Sequence, residues 1–561
     1  MQNFFSLILL LLLFQLIAVA QVQRETRAVW LTTNFASDWP PNTFDVSSQK
    51  EALREIFRNL KSKKFNTVYF QVRSNGTVMY RSFIEPFTPY ITGTVGDALP
   101  YDPLQFAIDL GKEFHLEVHA WVNMVRCFTG SNENILSHPA HVRSKHPEWT
   151  VRRMRDDGKL SYWLNPGLFE VQEHLTRVLL EISNNYYIDG IHLDFFRYPD
   201  KDFNDRKIYN QFGHSLTLDD WRRNNLTEIL RSFKKRVKPK NQYLKVGATP
   251  IGIRKSLKGA IGWEGYSSVY QDTEKWLQEG LVDYLTPQIY WPFEENPRFD
   301  VLADDWVKKA YGKNIVLGLA AYKPDVKIEL DKMVNYSRKI NAAGISFFRY
   351  EHIAQVEDSY FSKLAFPKEM SWKVNNKIET YYNFECNTKD ISTSEVLLSW
   401  RNLDNNDLRY YALNSFTDDS TFSTKLISPN KSKVKLKFGK PKKLQYKYSI
   451  GKLDRLWNET SMCNQFAVNV PYLRSLKKSA NISTKPMLAT LNDSNSILSL
   501  FSSFDQDIVL EIITKENLIT QRRVKLSLGQ NILKIKENVK LIKTIRIKYG
   551  NGKPIDEMNF L

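Results

Sequence analysis

Between residues 27 and 351 this chain alternates. Eight short runs rich in β-branched and aromatic residues are separated by segments of helical period. No other feature constrains the fold as tightly, because consecutive parallel strands need a crossover and a helix is the usual one. The strand-like runs are residues 27–33, 67–73, 116–123, 188–199, 245–250, 282–291, 315–322 and 344–351. Between them, residues 49–61 place Leu53, Ile56, Phe57 and Leu60 on one helical face, and 171–184 and 273–279 behave alike. Eight strands with interleaved helices predict an α/β fold, a (β/α)8 or TIM barrel. The long inserts 74–103, 124–167 and 200–220 then fall on its mouth.

The fourth run, Ile188-Asp189-Gly190-Ile191-His192-Leu193-Asp194-Phe195-Phe196-Arg197-Tyr198-Pro199, begins apolar and ends charged and aromatic. Barrel chemistry takes place at the C-terminal ends of strands, so Asp194 is the leading catalytic candidate. A plain ion pair between Asp194 and Arg197 is the bland alternative. The other strand ends contribute Trp30 and Asn34; Gln71 and Arg73; His119, Trp121 and Asn123; His192, Arg197 and Tyr198; Gln288, Tyr290 and Trp291; Tyr322; and Arg349. Amides, indoles and phenols around few carboxylates suit a sugar, whose faces stack on rings. About half of such residues simply pack a barrel's top layer. Most glycosidases need two carboxylates. For the second, the sequence offers Glu351, which also has Arg349 to pair with, and, after the fifth strand, Glu264 and Asp272, the latter equally fitting a helix N-cap before Thr273.

No glycine-rich phosphate cradle follows any strand, which disfavours nucleotide binding, and no cofactor is expected. His119 and His192 lie on adjacent strands, but no third ligand is evident, so no metal is expected. The net charge of +18 favours a polyanionic partner. Its lysines are densest at 425–447 and 525–543 and accompany no nucleic-acid motif, and a cell-envelope glycan or an acidic membrane surface fits equally well. Cys127, Cys386 and Cys463 are too few and too scattered for a disulfide framework or metal site. Residues 1–20 combine an apolar run with Ala18-Val19-Ala20, a small-x-small cleavage pattern. A cleaved leader and export to periplasm or surface are expected, with an uncleaved membrane anchor as the alternative; the run lacks Lys and Arg at its start.

After residue 366 the texture turns to short strands and Asn/Asp/Ser turns. Trp400, the Tyr446-Lys447-Tyr448 strand and Leu453-Asp454-Arg455-Leu456-Trp457 resemble a fibronectin type III sandwich, expected over 372–462 after a barrel at 21–366. A second β-rich segment, 465–561, carries no motif.

Several motifs occur in order: Arg27-Ala28-Val29-Trp30, Asp38-Trp39-Pro40, Phe70-Gln71-Val72-Arg73, Glu85-Pro86-Phe87, Tyr101-Asp102-Pro103-Leu104, His119-Ala120-Trp121-Val122-Asn123, Trp163-Leu164-Asn165-Pro166-Gly167, the fourth strand, and Pro287-Gln288-Ile289-Tyr290-Trp291. Together they resemble glycosyl hydrolase-like family 10, over about residues 24–365. The resemblance implies an exported bacterial TIM barrel, and some family members digest peptidoglycan glycan strands that have lost their stem peptides. It places the family's strand-four aspartate on Asp194. Where the family usually has Gly-Asp-Ala-x-Tyr, this chain has Gly76-Thr77-Val78-Met79-Tyr80, so one carboxylate is missing. The Asp-Gly-x-x-x-Asp of strand four and Gln288-Ile289-Tyr290 also resemble chitinase-type motifs, whose acid would fall at Phe196.

A secreted glycoside hydrolase is therefore the leading expectation. A catalytically silent glycan-binding protein and an adhesin whose β domains carry the function are its competitors. Oligomeric state is not legible.

Overall fold

A computed structural model of the chain describes residues 22–154, 158–213, 215–237, 241–355 and 360–373. Beyond these it describes 386–392, 395–401, 408–418, 421–438, 445–462, 466–469, 487–492, 495–502, 505–527, 529–537, 539–549 and 554–559. The expected leader, 1–20, and Cys463 lie outside the described residues. No helix among the described residues is long and apolar enough to cross a membrane.

The eight expected strands form one closed parallel ring: β1 (Thr26–Leu31), β2 (Thr67–Ser74), β3 (Glu117–Asn123), β4 (Gly190–Asp194), β5 (Lys245–Ala248), β6 (Tyr284–Leu285), β7 (Asn314–Leu319) and β8 (Gly344–Phe347). Each pairs in parallel with its sequence neighbour, and β8 pairs with β1 to close the barrel. The longest helix after each strand is, in order, α1 (Val46–Ser62), α2 (Pro103–Phe114), α3 (Phe169–Asn185), α4 (Leu218–Arg236), α5 (Thr273–Gln278), α6 (Phe299–Lys308), α7 (Leu330–Lys339) and α8 (Tyr350–Ala354). Leu53, Ile56, Phe57 and Leu60 are the buried face of α1, whose Asp45 N-cap accepts from the Ser48 amide at 2.7 Å. In α2, Asp102 caps the helix and Pro103 occupies the first turn, where its missing N–H costs nothing.

Two strands are shorter than their apolar runs suggest. The ladder of β6 stops at Leu285; Pro287 has no N–H to donate, and Gln288 makes only isolated bridges to Ile251 and Gly318. Strand β8 ends at Phe347, so Glu351 is not a strand end but lies in the first turn of α8.

The insert after β3 folds into an antiparallel sheet with Leu160–Leu164 between Arg126–Thr129 and Thr150–Met154. This sheet carries Arg126 and Trp163 towards the barrel mouth.

The barrel unit comprises Gln21–Lys377 together with Arg455–Trp457. Arg455 stacks 3.6 Å over Tyr187 and donates to the Ile188 carbonyl at 3.0 Å. The Trp457 indole packs on Phe366 and donates to Glu117 Oε1 at 2.9 Å inside the barrel. Trp457→Phe keeps the ring and removes that donor to a buried carboxylate. It is expected to lower barrel stability by about 1–3 kcal/mol, read as a drop in its thermal transition.

The C-terminal residues make two sandwiches with separate cores, one around Trp400, Tyr411, Leu413 and Ile450, the other around Leu510, Ile512 and Ile545. They share one strand order. In both, the first, second and fifth strands form one antiparallel sheet, and the fourth, third, sixth and seventh form the other. Phe466–Asn469 pairs with Gln445–Tyr448 and so belongs to the first sandwich.

Candidate active site

Side chains that alternate into the barrel interior stack in layers. Lowest is Glu117, which accepts from Lys245 Nζ at 2.5 Å and from Trp457. Above it, rings fill the barrel: Tyr69 stacks on His192 with centroids 3.9 Å apart, beside His119, Tyr284 and Trp30. Gly190 and Gly247 make this possible, because a Cβ on either would fall 2.5 Å from His119 or 2.0 Å from Tyr284. The hydrogen bonds run in one direction. Trp30 Nε1–H donates to His192 Nε2 at 3.0 Å, so His192 carries its proton on Nδ1 and donates to the Tyr284 oxygen at 3.1 Å. The Tyr284 hydroxyl then donates to His119 Nδ1 at 2.7 Å, leaving His119 Nε2–H for Glu117 Oε2 at 3.1 Å. Burial, and His119 nearby, hold His192 well below the ordinary imidazole range, so it is neutral.

Trp30, His119 and His192 therefore do not sit at the mouth, as the strand-end reading expected. They are buried and mutually bonded, and both nitrogens of each histidine are engaged.

The mouth layer contains Asp194, level with Asn123 on β3. Asp194 is 6% exposed, and Oδ1 accepts from the Phe195 amide at 2.6 Å. Phe195 adopts the left-handed region at φ 47°, which turns the chain sharply off the strand end. Burial raises the Asp194 pKa above the ordinary 3.8; the Phe195 amide, the charges of Arg197 and Arg126, and the Trp121 indole oppose the rise. The Trp121 indole N–H is buried near Asp194 but makes no hydrogen bond of full geometry among the described residues. Tyr290 is held protonated, first by burial and then by the Asp194 charge close to it. Its ring contacts Phe348 and Tyr322, and Tyr322 is 45% exposed. Trp291 is half-buried at the same rim. Gln71 Oε1 accepts from the amides of Thr33 and Asn34, and its Nε2 faces Asn123 Oδ1 at 3.5 Å. Gln288 Nε2 reaches Thr249 Oγ1 at 3.4 Å.

Five further positions have structural partners instead of a place at the mouth. Arg73, fully buried, makes a two-pronged pair with Glu85 at 2.6 Å and donates to the carbonyls of Asn123 and Met124. Tyr198 is buried between Phe203 and Tyr270, its hydroxyl accepting from Asn225. Arg349 bridges Asp38 at 2.6 Å and also pairs with Glu351, an exposed residue. Asp272 caps α5 through the Lys275 amide. Asp272→Ala is expected to cost about 1 kcal/mol of stability and to leave turnover intact, which thermal melting beside steady-state kinetics checks. Thr77, where the resemblance expects a carboxylate, turns its hydroxyl onto the Ser74 carbonyl.

The structure also brings in residues outside the strand-end list. Arg126 lies 3.3 Å over the Phe195 ring, and Arg197 is surrounded by Trp163, Phe195 and Trp263. The local signal for Trp263 is slight, an indole in the loop after β5 flanked by Gly262. No group of three or more His, Cys, Asp or Glu residues poised to hold a metal occurs among the described residues.

The family model "Glycosyl hydrolase-like 10" matches residues 25–336. The chain belongs to this family. Glycosyl hydrolase DigH of Escherichia coli (strain K12) is 32% identical over 346 residues, 56% of this chain and 78% of that protein. Glycosyl hydrolase YngK of Bacillus subtilis (strain 168) is 32% identical over 326 residues, 54% of this chain and 62% of that protein. Among solved structures, the catalytic domain of a β-amylase from Paenibacillus polymyxa aligns at TM-score 0.40 and 13% identity, over 63% of this chain and 97% of that one. The protein is a glycoside hydrolase. Its membership assigns the barrel, not the sandwiches, to catalysis, and Asp194 stands where barrel enzymes act.

Proposed function

We propose that this glycoside hydrolase is exported and cleaves peptidoglycan glycan strands that have lost their stem peptides. The observation that carries the reading is Asp194: a buried carboxylate at the end of β4, acted on by the charges of Arg197 and Arg126 and close to Tyr290. The residue motifs shared with family members that digest such strands support the substrate. The leader-like residues 1–20 and the basic surface support a life on an anionic wall. The shared strand order of the two sandwiches supports reading both as fibronectin type III-like spacers or wall-binding modules.

In this mechanism Asp194 acts ionised and close to the anomeric carbon, where positive charge develops as the glycosidic bond lengthens. The charged groups acting on it are arginines, which keep it available as an anion despite burial. A second reading has the substrate's own acetamido oxygen attack the anomeric carbon while Asp194 steadies the resulting cation. The protonated Tyr290 hydroxyl beside Asp194 favours it, since that hydroxyl can hold the acetamido group. Inhibition by a thiazoline analogue of the N-acetyl sugar separates the two.

The test is incubation of residues 21–561 with peptide-free glycan strands, with products read by mass spectrometry. Release of short saccharides supports the proposal. Strands left intact while another N-acetylated polysaccharide is cut would replace the substrate and keep the enzyme class.

A further inference from the structure

Three enclosed guanidiniums of this barrel grip carboxylates. Arg73 grips Glu85 at 2.6 Å, Arg222 grips Asp205 at 2.5 and 2.9 Å, and Arg254 grips Asp305 at 2.9 Å. Arg197 differs. It makes no hydrogen bond or ion pair with any described residue, although it is only partly exposed. Three rings contact it instead, with its central carbon 4.9 Å from Trp263, 5.1 Å from Phe195 and 5.6 Å from Trp163. Rings engage the π-face of a guanidinium and leave its in-plane N–H fork open. That fork matches a planar carboxylate with two parallel hydrogen bonds, whereas a sugar hydroxyl leaves the charge uncompensated.

The surroundings add to this. Burial, opposed by the Asp194 charge, pulls the Arg197 pKa down to about 10, so the group is charged at neutral pH but poorly solvated. Arg126, stacked on the same Phe195 ring, puts a second positive charge beside it. Trp263, 49% exposed, offers an apolar face to a sugar ring whose acidic substituent reaches the fork.

We propose that Arg197 binds a carboxylate carried by a sugar next to the cleaved bond, making the enzyme selective for acidic glycan strands. This rests on the substrate reading above and deepens it. Losing the stem peptide frees the carboxylate of the lactyl ether, so one guanidinium would sense whether a strand has been stripped.

The experiment compares peptide-free strands with the same strands converted to methylamides by carbodiimide coupling, using wild type, Arg197→Gln and Arg197→Lys. Thermal melting reports that each variant is folded. Wild type is expected to show a KM at least about tenfold higher on the amidated strands, as loss of a charge-assisted pair predicts. Arg197→Gln should raise KM on native strands to the amidated level and so erase the difference between the two, whatever kcat both lose through Asp194, while Arg197→Lys retains part of the preference. Two results overturn the proposal. One is equal KM for both strands with wild type. The other is an Arg197→Gln variant that loses kcat equally on both and keeps the preference, which would make Arg197 a residue that only tunes Asp194. Should wild type cut neither strand, the substrate reading falls. Calorimetric affinities still decide Arg197: tighter binding of the native strand supports it, and equal affinity overturns it.

Discussion

Asp194→Asn is expected to lower turnover by at least about a thousandfold while leaving the barrel folded and somewhat more stable at neutral pH. The amide keeps the shape and accepts from the Phe195 amide as the carboxylate does, but it carries no charge to offset the developing cation. The stability part follows from the raised pKa of Asp194. A folded pKa above the unfolded 3.8 means the native state binds that proton more tightly. Wild type therefore loses stability as the pH rises from below 3.8 through the folded pKa, and the variant does not. Melting curves of both proteins at pH 4 and pH 7 check this: the advantage of the variant should grow towards neutral pH. Equal turnover would remove Asp194 from the mechanism. An unchanged gap between the two pH values would show the carboxylate to be better solvated than its 6% exposure indicates.

The second large effect concerns Arg73 and Glu85. Arg73→Met is expected to destabilise the barrel by about 3–5 kcal/mol, because it strands a buried carboxylate and frees two carbonyls at the end of β3. Glu85→Gln should be milder, since an amide oxygen at the Oε1 position still accepts from Arg73 Nη2 and from His174 and only the bond from Arg73 Nε is lost. Burial alone pushes Glu85 up, but Arg73 and His174 outweigh it and hold the carboxylate well below its usual range. A depressed folded pKa contributes stability that is full above the unfolded value of 4.5 and drains away as the pH falls below it. Chemical unfolding between pH 7 and pH 3 should show that acid loss in wild type and less of it in Glu85→Gln. Activity should follow stability, because Met124, whose carbonyl Arg73 holds, donates its amide to the Asp194 carbonyl at 2.8 Å.

The pair also explains why a strand-end arginine was a poor guide to the site. Arg73 has the residue type, the strand and the position expected of a substrate contact. Its partner lies 12 residues on, across a turn whose path the local pattern does not encode. Asp272 and Glu351 are the converse: each had a local partner visible in the sequence, a following helix or an adjacent arginine, and each uses it. The sixth run looked like a long strand because it continues to Trp291, yet Pro287 breaks the ladder. The second sandwich carried no motif at all, and only its strand order reveals that it repeats the first.

Period and composition are local, so the order of eight strands, the helical crossovers and the candidate Asp194 were all readable from the chain. Parity along a strand was readable too: His192 and Asp194 had to share a face. Their heights in the barrel were not. Register between strands is set only when the sheet closes with its stagger, and it puts Asn123 beside Asp194 but Trp121 beside His192, one layer deeper. That stagger separates a hydrogen-bonded interior of Trp30, His119, His192 and Tyr284 from the mouth above it. It also leaves Arg197 among three rings from separate segments, with no hydrogen bond or ion pair among the described residues.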